Sequence, residues 1–108
     1  MINIKELKGN YFKKELDLFK CCFGFHNKNT TGGNFGLLFY FDEEFNPDLD
    51  FELYGHYNIK GEIINLKLIS IRASRFIISI DKDNLNDLKD LVDYIKKFKK
   101  GLILNNLK

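Results

Sequence analysis

A run of carboxylates between positions 42 and 52 is the most chemically distinctive part of this sequence. Six of its eleven residues are acidic and none is Lys or Arg, while Phe45 and Leu49 lie within it and Tyr54 follows it. A solvated loop accounts for most runs of this kind, but a negative surface with aromatic side chains can also steer a protein onto a basic partner. The candidate partner-binding residues are therefore Asp42, Glu43, Glu44, Phe45, Asp48, Asp50, Glu52 and Tyr54.

A second group of side chains could act on phosphodiesters or bind nucleic acid. One predicted strand face carries Glu52, Tyr54, His56 and Asn58. His56 could supply acid–base chemistry, with Arg72 and Arg75 binding the anion, as in a small ribonuclease. Tyr54, His56 and Lys67 could instead form an aromatic and basic surface on which bases stack. The simpler interpretation is the polar outer face of an antiparallel strand, and we assign no catalytic residue.

The stretch FHNKNTTGGNFG, residues 25–36, combines polar residues with glycines in the manner of a phosphate-binding loop. Such a loop needs a helix directly after its glycines, usually with a Lys followed by Ser or Thr. The residues that follow Gly36 are apolar and have a strand pattern instead. We therefore predict an inter-strand loop over this stretch and no nucleotide cofactor.

Metal binding and disulfide formation are both poorly supported. The soft ligands are Cys21, Cys22, His26 and His56. Adjacent cysteines fit neither the ligand spacing of a zinc site nor the geometry of a disulfide, so we predict no metal and free thiols. Free thiols indicate a reducing compartment. Together with the lack of a signal-peptide pattern or a membrane-spanning run, they predict a cytoplasmic location.

The overall composition is that of one globular domain. The chain has 108 residues, of which 44% are hydrophobic and 15% aromatic, which is enough to bury a core within a single domain over residues 1–108. The 17 basic and 15 acidic side chains give a net charge of +2, too balanced to indicate nucleic-acid binding by itself.

Hydrophobic periodicity predicts a helix at each end of the chain. Apolar residues recur at steps of three and four over residues 2–20, although Gly9 favours a start near Asn10. A second helix is predicted over residues 84–100, with Asp83 or Asn84 as its N-cap and Gly101 as its end. Its apolar stripe consists of Leu85, Leu88, Leu91, Val92, Ile95 and Phe98.

Between the helices the sequence predicts an antiparallel meander. Strand patterns cover residues 20–26, 34–41, 50–59, 62–72 and 75–81. The strand over 34–41 is apolar on both parities, which predicts burial on both faces. Lys60 and Gly61 predict a tight turn, and a change of parity predicts a bulge near Leu68 and Ile69. The fold class is therefore α+β, with a sheet of four to five strands packed against an N-terminal and a C-terminal helix.

The function that fits these features best is that of a small cytoplasmic binding protein, not an enzyme. Immunity proteins, antitoxins and phage-type inhibitors are similarly short, and they use one charged face to neutralise a partner. The acidic residues would face a basic toxin or nuclease. Two alternatives remain open: a nucleic-acid-binding domain or small ribonuclease that uses His56, Arg72 and Arg75, and a homodimeric structural module. The protein would be a monomer or a homodimer.

Overall fold

A computed structural model of the protein describes residues 2–8, 11–71, 77–81, 83 and 85–106. In chain order its elements are a 3₁₀ helix (Ile4–Lys8), α1 (Tyr11–Glu15), β1 (Lys20–Asn29), β2 (Gly32–Tyr40), β3 (Phe51–Asn58), β4 (Ile63–Ser70), β5 (Ile77–Ile80) and α2 (Leu88–Asn106). The five strands pair as one antiparallel sheet in the order β1-β2-β3-β4-β5. The predicted α+β class and the meander are thus confirmed.

One face of the sheet, the inner face, forms the core together with the helices. Alternation along β2 and β3 directs the buried side chains of both strands to this face. Phe12 of α1 packs edge-on against Phe39, with ring centroids 5.8 Å apart, and Phe98 of α2 packs against Phe51 at 5.0 Å. Burying one such ring stabilises the fold by about 1.5–3 kcal/mol, so these aromatic contacts fix both helices on the sheet.

The opposite face, the outer face, is less covered. The buried side chains of the described helices belong to the core cluster of the inner face. On the outer face Leu38 and Tyr40 of β2, like Tyr54 and His56 of β3, are only half-buried. The prediction that β2 is covered on both faces is therefore wrong. Its outward residues are apolar, but the layer that would bury them is not among the described residues.

The N-terminal region is not the single helix predicted over residues 2–20. Its first residues pair in extended form with the β3–β4 turn: Ile4 N donates to Gly61 O (2.7 Å), and Ile63 N donates to Ile2 O (3.1 Å). Asn3 then begins the 3₁₀ helix, since its amide oxygen accepts from Lys5 N (3.0 Å). These long-range backbone hydrogen bonds hold Ile2 and Asn3 in an extended conformation, Ile4–Lys8 form a 3₁₀ helix, and α1 begins only at Tyr11.

A left-handed residue ends α1 early. Asp17 has a φ of 51°. Leu18 N donates to Lys13 O at 2.9 Å and Asp17 N donates to Lys14 O at 3.3 Å, which is the hydrogen-bond pattern of a Schellman motif. The chain therefore turns out of the helix here and enters β1 at Lys20.

The start of α2 also differs from the prediction. Asp87 caps the helix, because its Oδ1 accepts from Asp90 N at 3.0 Å, and Asp90 Oδ2 in turn accepts from Asn86 N at 2.8 Å. Asp83 precedes this cap by four residues and Asn84 lies outside the described residues. The sequence contains several capping residues in succession, and the prediction placed the cap one turn too early.

The end of α2 lies beyond the predicted stop. Gly101 is within the helix, which continues to Asn106. A glycine in a helix interior costs about 1 kcal/mol relative to Ala, which the helix-forming residues on either side offset. Four residues of the predicted apolar stripe are buried on α2: Leu91, Val92, Ile95 and Phe98. Leu88 is half-buried, and Leu85 is buried but precedes the helix.

The predicted bulge in β4 is wrong in position. The register between β3 and β4 shifts where His56 pairs with Asn65 and Tyr57 pairs with Ile63. Ile64 is the extra residue and is 43% exposed, while Ile63 is buried. The tight turn before β4 is confirmed. Gly61 has a φ of 81°, and a Cβ at this position would lie 3.0 Å from Asn3 Oδ1.

The loop predicted over residues 25–36 is mostly strand. β1 extends to Asn29 and β2 begins at Gly32, so Thr30 and Thr31 alone form the turn. Gly32 has a φ of 139°, and a Cβ there would collide with the carbonyl oxygen of Tyr57 on the neighbouring strand. The glycine is thus needed for close approach of two strands, and a strand follows it where an anion-binding loop requires a helix.

The left-handed conformation of Asp17, just after α1, predicts the effect of a substitution on stability. Asp17→Gly should raise the free energy of unfolding by about 0.5–1 kcal/mol, because this conformation strains a residue with a Cβ, although glycine loses more chain entropy on folding. Lys14→Gly, within the last turn of α1, is the control and should lower it by up to about 1 kcal/mol, because glycine is a poor helix former. Urea denaturation measures both changes, and a loss of stability in Asp17→Gly would contradict this account of the helix end.

Candidate functional site

The segment between β2 and β3 is organised around one buried carboxylate. Asp50 is only 1% exposed. Its Oδ2 accepts a hydrogen bond from Asn46 N at 2.8 Å, and its Oδ1 accepts one from Phe41 N at 3.3 Å. Hydrogen bonds from backbone N–H groups to a carboxylate are among the stronger ones in proteins. Asp50 therefore fixes the shape of this segment from inside and is not available to a partner.

Asn46 forms the turn within the segment. Its side-chain Oδ1 accepts from Asp48 N at 3.0 Å, and its backbone oxygen accepts from Leu49 N at 3.1 Å and Asp50 N at 2.8 Å. Pro47 lies inside this turn, where its fixed φ and missing N–H are tolerated. The predicted turn at these residues is confirmed, and the segment has a defined conformation.

The residues that this turn presents form the acidic loop, which we define as residues 42–48. Asp42, Glu43 and Glu44 are exposed, and Phe45 beside them is 55% exposed. Together with Asn46 they line an open depression of about 500 Å³. The structure thus brings together the first four predicted partner-binding residues, and Asp48 lies half-buried in the same loop.

The last two predicted residues lie elsewhere. Glu52 and Tyr54 belong to β3 and lie half-buried on the outer face of the sheet. The acidic loop reaches this face through Phe45, whose ring centroid is 6.1 Å from that of Tyr40. The ammonium group of Lys20 lies 5.9 Å from the ring centroid of Tyr40. The sequence prediction omitted Tyr40, and its outward parity in β2 was the signal that could have identified it.

Further along the outer face, three strands contribute a network that we call the outer-face cluster: Asn34, Tyr54, His56, Asn65 and Lys67. Asn34 Nδ2 donates to the Tyr54 hydroxyl at 2.7 Å. The Tyr54 and His56 rings are perpendicular, with centroids 5.4 Å apart. His56 Nδ1 lies 2.6 Å from Asn65 Oδ1, and Lys67 pairs with Tyr54 across the strands.

The hydrogen bond to Asn65 determines what His56 can do. An amide oxygen only accepts, so His56 Nδ1 is the donor in this hydrogen bond. The group that orients the ring is the amide of Asn65 and not a carboxylate. This arrangement suits a fixed hydrogen-bonding group better than a general base. Arg72 and Arg75, the predicted anion-binding residues, lie outside the described residues.

The two cysteines point to opposite sides of β1. Cys21 pairs with Phe39 of the inner face, and Cys22 pairs with Leu38 of the outer face. Burial, with a smaller contribution from Cys22, raises the pKa of the Cys21 thiol to about 12. The side chain of His26 lies outside the described part. Within that part, no group of three His, Cys, Asp or Glu residues could hold a metal ion.

The buried carboxylate predicts a large effect on stability. Asp50→Asn should lower the free energy of unfolding by about 1–3 kcal/mol, because the amide cannot accept from both backbone N–H groups. Glu43→Gln, at an exposed position of the same loop, should change it by less than about 0.5 kcal/mol. Equal urea midpoints for the two variants would show that Asp50 does not organise the loop.

The half-buried thiol of Cys21 predicts selective alkylation. At pH 8 iodoacetamide should leave Cys21 unmodified in the folded protein, because a thiol with a pKa of about 12 holds only about one part in ten thousand as thiolate. Mass spectrometry of native and urea-unfolded samples measures this, and both cysteines should react after unfolding. Rapid native labelling at Cys21 would contradict the burial.

The same thiol links stability to pH. An unperturbed cysteine ionises near pH 9.0, so above that pH the unfolded chain releases a proton that the folded chain retains. The free energy of unfolding should therefore decrease as the pH rises above 9.0, and this decrease should be smaller in Cys21→Val.

In the described part of the chain, no helix has both the length and the apolar character needed to cross a membrane. No protein-family model matches the sequence. The search of curated proteins found no match, and neither did the search of solved structures. The function therefore has to be inferred from the chemistry of the two surfaces, the acidic loop and the outer face.

Proposed function

We propose that this protein binds a basic partner protein, such as a toxin or nuclease, through the acidic loop and thereby neutralises it. The observation that carries the proposal is Phe45. This large apolar side chain is 55% exposed, and three exposed carboxylates precede it in a loop that the buried Asp50 holds in shape. Exposed aromatic residues in a fixed setting are typical of the residues that dominate binding energy in interfaces.

The hydrogen-bonded conformation of the acidic loop favours binding. The hydrogen bonds of Asp50 and Asn46 already define its backbone conformation in the free protein. A partner would therefore not have to order the loop, which lowers the entropic cost of association. Covering Phe45 would recover up to about 1.5–3 kcal/mol of apolar transfer free energy.

The charge of the loop determines the kind of partner. Its carboxylates at positions 42, 43, 44 and 48 give it a charge of −4, whereas the whole chain carries +2, so the other residues together carry +6. A negative loop on an otherwise positive chain attracts a basic surface locally and orients it during the encounter. A protein surface that binds phosphates is positively charged and therefore complementary to the acidic loop. The carboxylates of the loop would occupy the positions of the phosphates and block that surface.

The proposal is tested by co-expression of the tagged protein with the product of the adjacent gene. Phe45→Ala should weaken binding by about 30-fold or more, which corresponds to about 2 kcal/mol. The triple variant D42N/E43Q/E44Q should slow association about tenfold or more at low salt, and the difference from wild type should shrink as salt is added. Surface plasmon resonance measures both rate constants.

The matched control is E15Q/D83N/D93N, which neutralises three exposed carboxylates outside the loop. It should bind like the wild type. A photo-crosslinking residue at position 45, with one at the exposed Lys97 as reference, identifies the partner if it is encoded elsewhere. The proposal fails if no protein crosslinks specifically at position 45, or if the triple variant and its control bind equally.

A further inference from the structure

The outer-face cluster has a geometry that the proposed function does not use. The register places its residues in two adjacent rows across the sheet. One row runs from Asn34 through His56 to Asn65. The other runs from Gly24 through Gly36 and Tyr54 to Lys67. Aromatic rings, amides and a cation are thus neighbours on a face that the described helices leave uncovered.

Gly24 leaves bare, exposed backbone beside this cluster. It shares the outer face with Cys22 on β1, and a Cβ at Gly24 would have no described atom within 4 Å. Gly36, between Gly24 and Tyr54, also lacks a side chain. The strand spacing puts Gly24 about 10 Å from Tyr54, so bare backbone borders the aromatic pair. Glycine within a strand often marks a place where a ligand approaches the backbone closely.

We propose that this surface binds single-stranded nucleic acid. One base would lie over Gly24, and the adjacent bases of the strand would contact Tyr54 and His56. Aromatic rings on an open antiparallel sheet stack with unpaired bases. The hydrogen bonds from Asn34 to Tyr54 and from His56 to Asn65 hold both rings in place before binding. The amides of Asn34 and Asn65 carry donors and acceptors of the kind that pair with base edges.

Charge along the surface supports this occupant and orients it. Lys67 lies next to Tyr54 and is exposed, where it can neutralise a phosphate. The exposed carboxylates of the acidic loop lie beyond Glu52 on one side of Tyr54, so phosphates are repelled from that side. The nucleic-acid strand would therefore follow the rows of Tyr54 and His56, away from the acidic loop. Double-stranded nucleic acid would not bind, because its bases are not free to stack on the protein.

The test is fluorescence anisotropy with labelled oligo(rU) and oligo(dT) of about ten nucleotides, at about 50 mM salt. Both should bind the wild type, whereas a duplex of the same length and free uridine monophosphate should not compete. Tyr54→Ala should weaken binding about tenfold or more. Lys67→Gln should reduce the slope of log K against log salt by about 0.7, the value for one phosphate contact on a single strand.

Gly24→Val is the most specific variant. Its side chain would fill the gap where no described atom lies within 4 Å, so the fold should tolerate it while binding is lost. Lys97→Gln on α2 removes the same charge as Lys67→Gln at an exposed position away from the cluster, and should leave the affinity unchanged. Circular dichroism and urea midpoints show whether each variant remains folded.

Three outcomes would overturn the inference: no binding by the wild type, equal losses for Lys67→Gln and Lys97→Gln, or unchanged binding by a folded Gly24→Val variant. Equal losses would indicate unspecific charge attraction. The triple variant D42N/E43Q/E44Q separates this inference from the proposed function. It should retain or slightly increase the affinity for the oligonucleotides, since it removes negative charge near their path, while it loses the protein partner.

Discussion

The register between β2 and β3 is the constraint on which both surfaces of this protein depend. Phe39 pairs with Phe51, and Phe35 pairs with Gly55. The ring of Phe35 fills the space that a side chain at residue 55 would need, since a Cβ there would lie 2.8 Å from Phe35 Cε1. A slip by one residue would remove this fit and turn the buried face of β3 outward, so the packing of the core selects one register.

The same register determines what the outer face presents. Tyr54 and His56 lie outward because their neighbours in β3 are buried, and their cross-strand neighbours on β4 are Lys67 and Asn65. The register also sets the ends of the acidic loop, because the pair formed by Phe39 and Phe51 brings the two strand ends together. The buried carboxylate of Asp50 then closes the loop. Core packing and surface chemistry therefore follow from one set of strand pairs.

The sequence predicts those features that depend on local periodicity. Alternation in β3 and the apolar stripe of α2 were both correct, because each reflects a single buried face with a fixed period. The features that it missed depend on distant partners. The bulge at Ile64 and the extended conformation of the first residues depend on pairing between distant segments. The position of the β1–β2 turn depends on the close approach of Gly32 to Tyr57. Residues 25–36 are also rich in Asn, Thr and Gly, which favours the prediction of a loop where the structure has strands.

The same distinction holds for the candidate site. Composition marked the acidic run but could not separate Asp50, which binds backbone N–H groups inside the loop, from the exposed carboxylates of Asp42, Glu43 and Glu44. Burial of a carboxylate depends on the N–H groups that the folded loop directs at it, and these are not visible in the order of residues. Asn34 and Asn65 were likewise missed, because their proximity to Tyr54 and His56 exists only across strands.

The acidic loop contacts the outer face at Tyr40, on the same face as the outer-face cluster. Phe45 packs on Tyr40, which lies four residues along β2 from Gly36, the cross-strand partner of Tyr54. That separation is about 13 Å. A protein interface of ordinary size covers about 800 Å² on each partner, so one centred on Phe45 would also cover Tyr40 and the part of the outer face next to it. A basic protein on the loop and a nucleic-acid strand on the cluster would then lie side by side on the same face, although the two surfaces differ in charge.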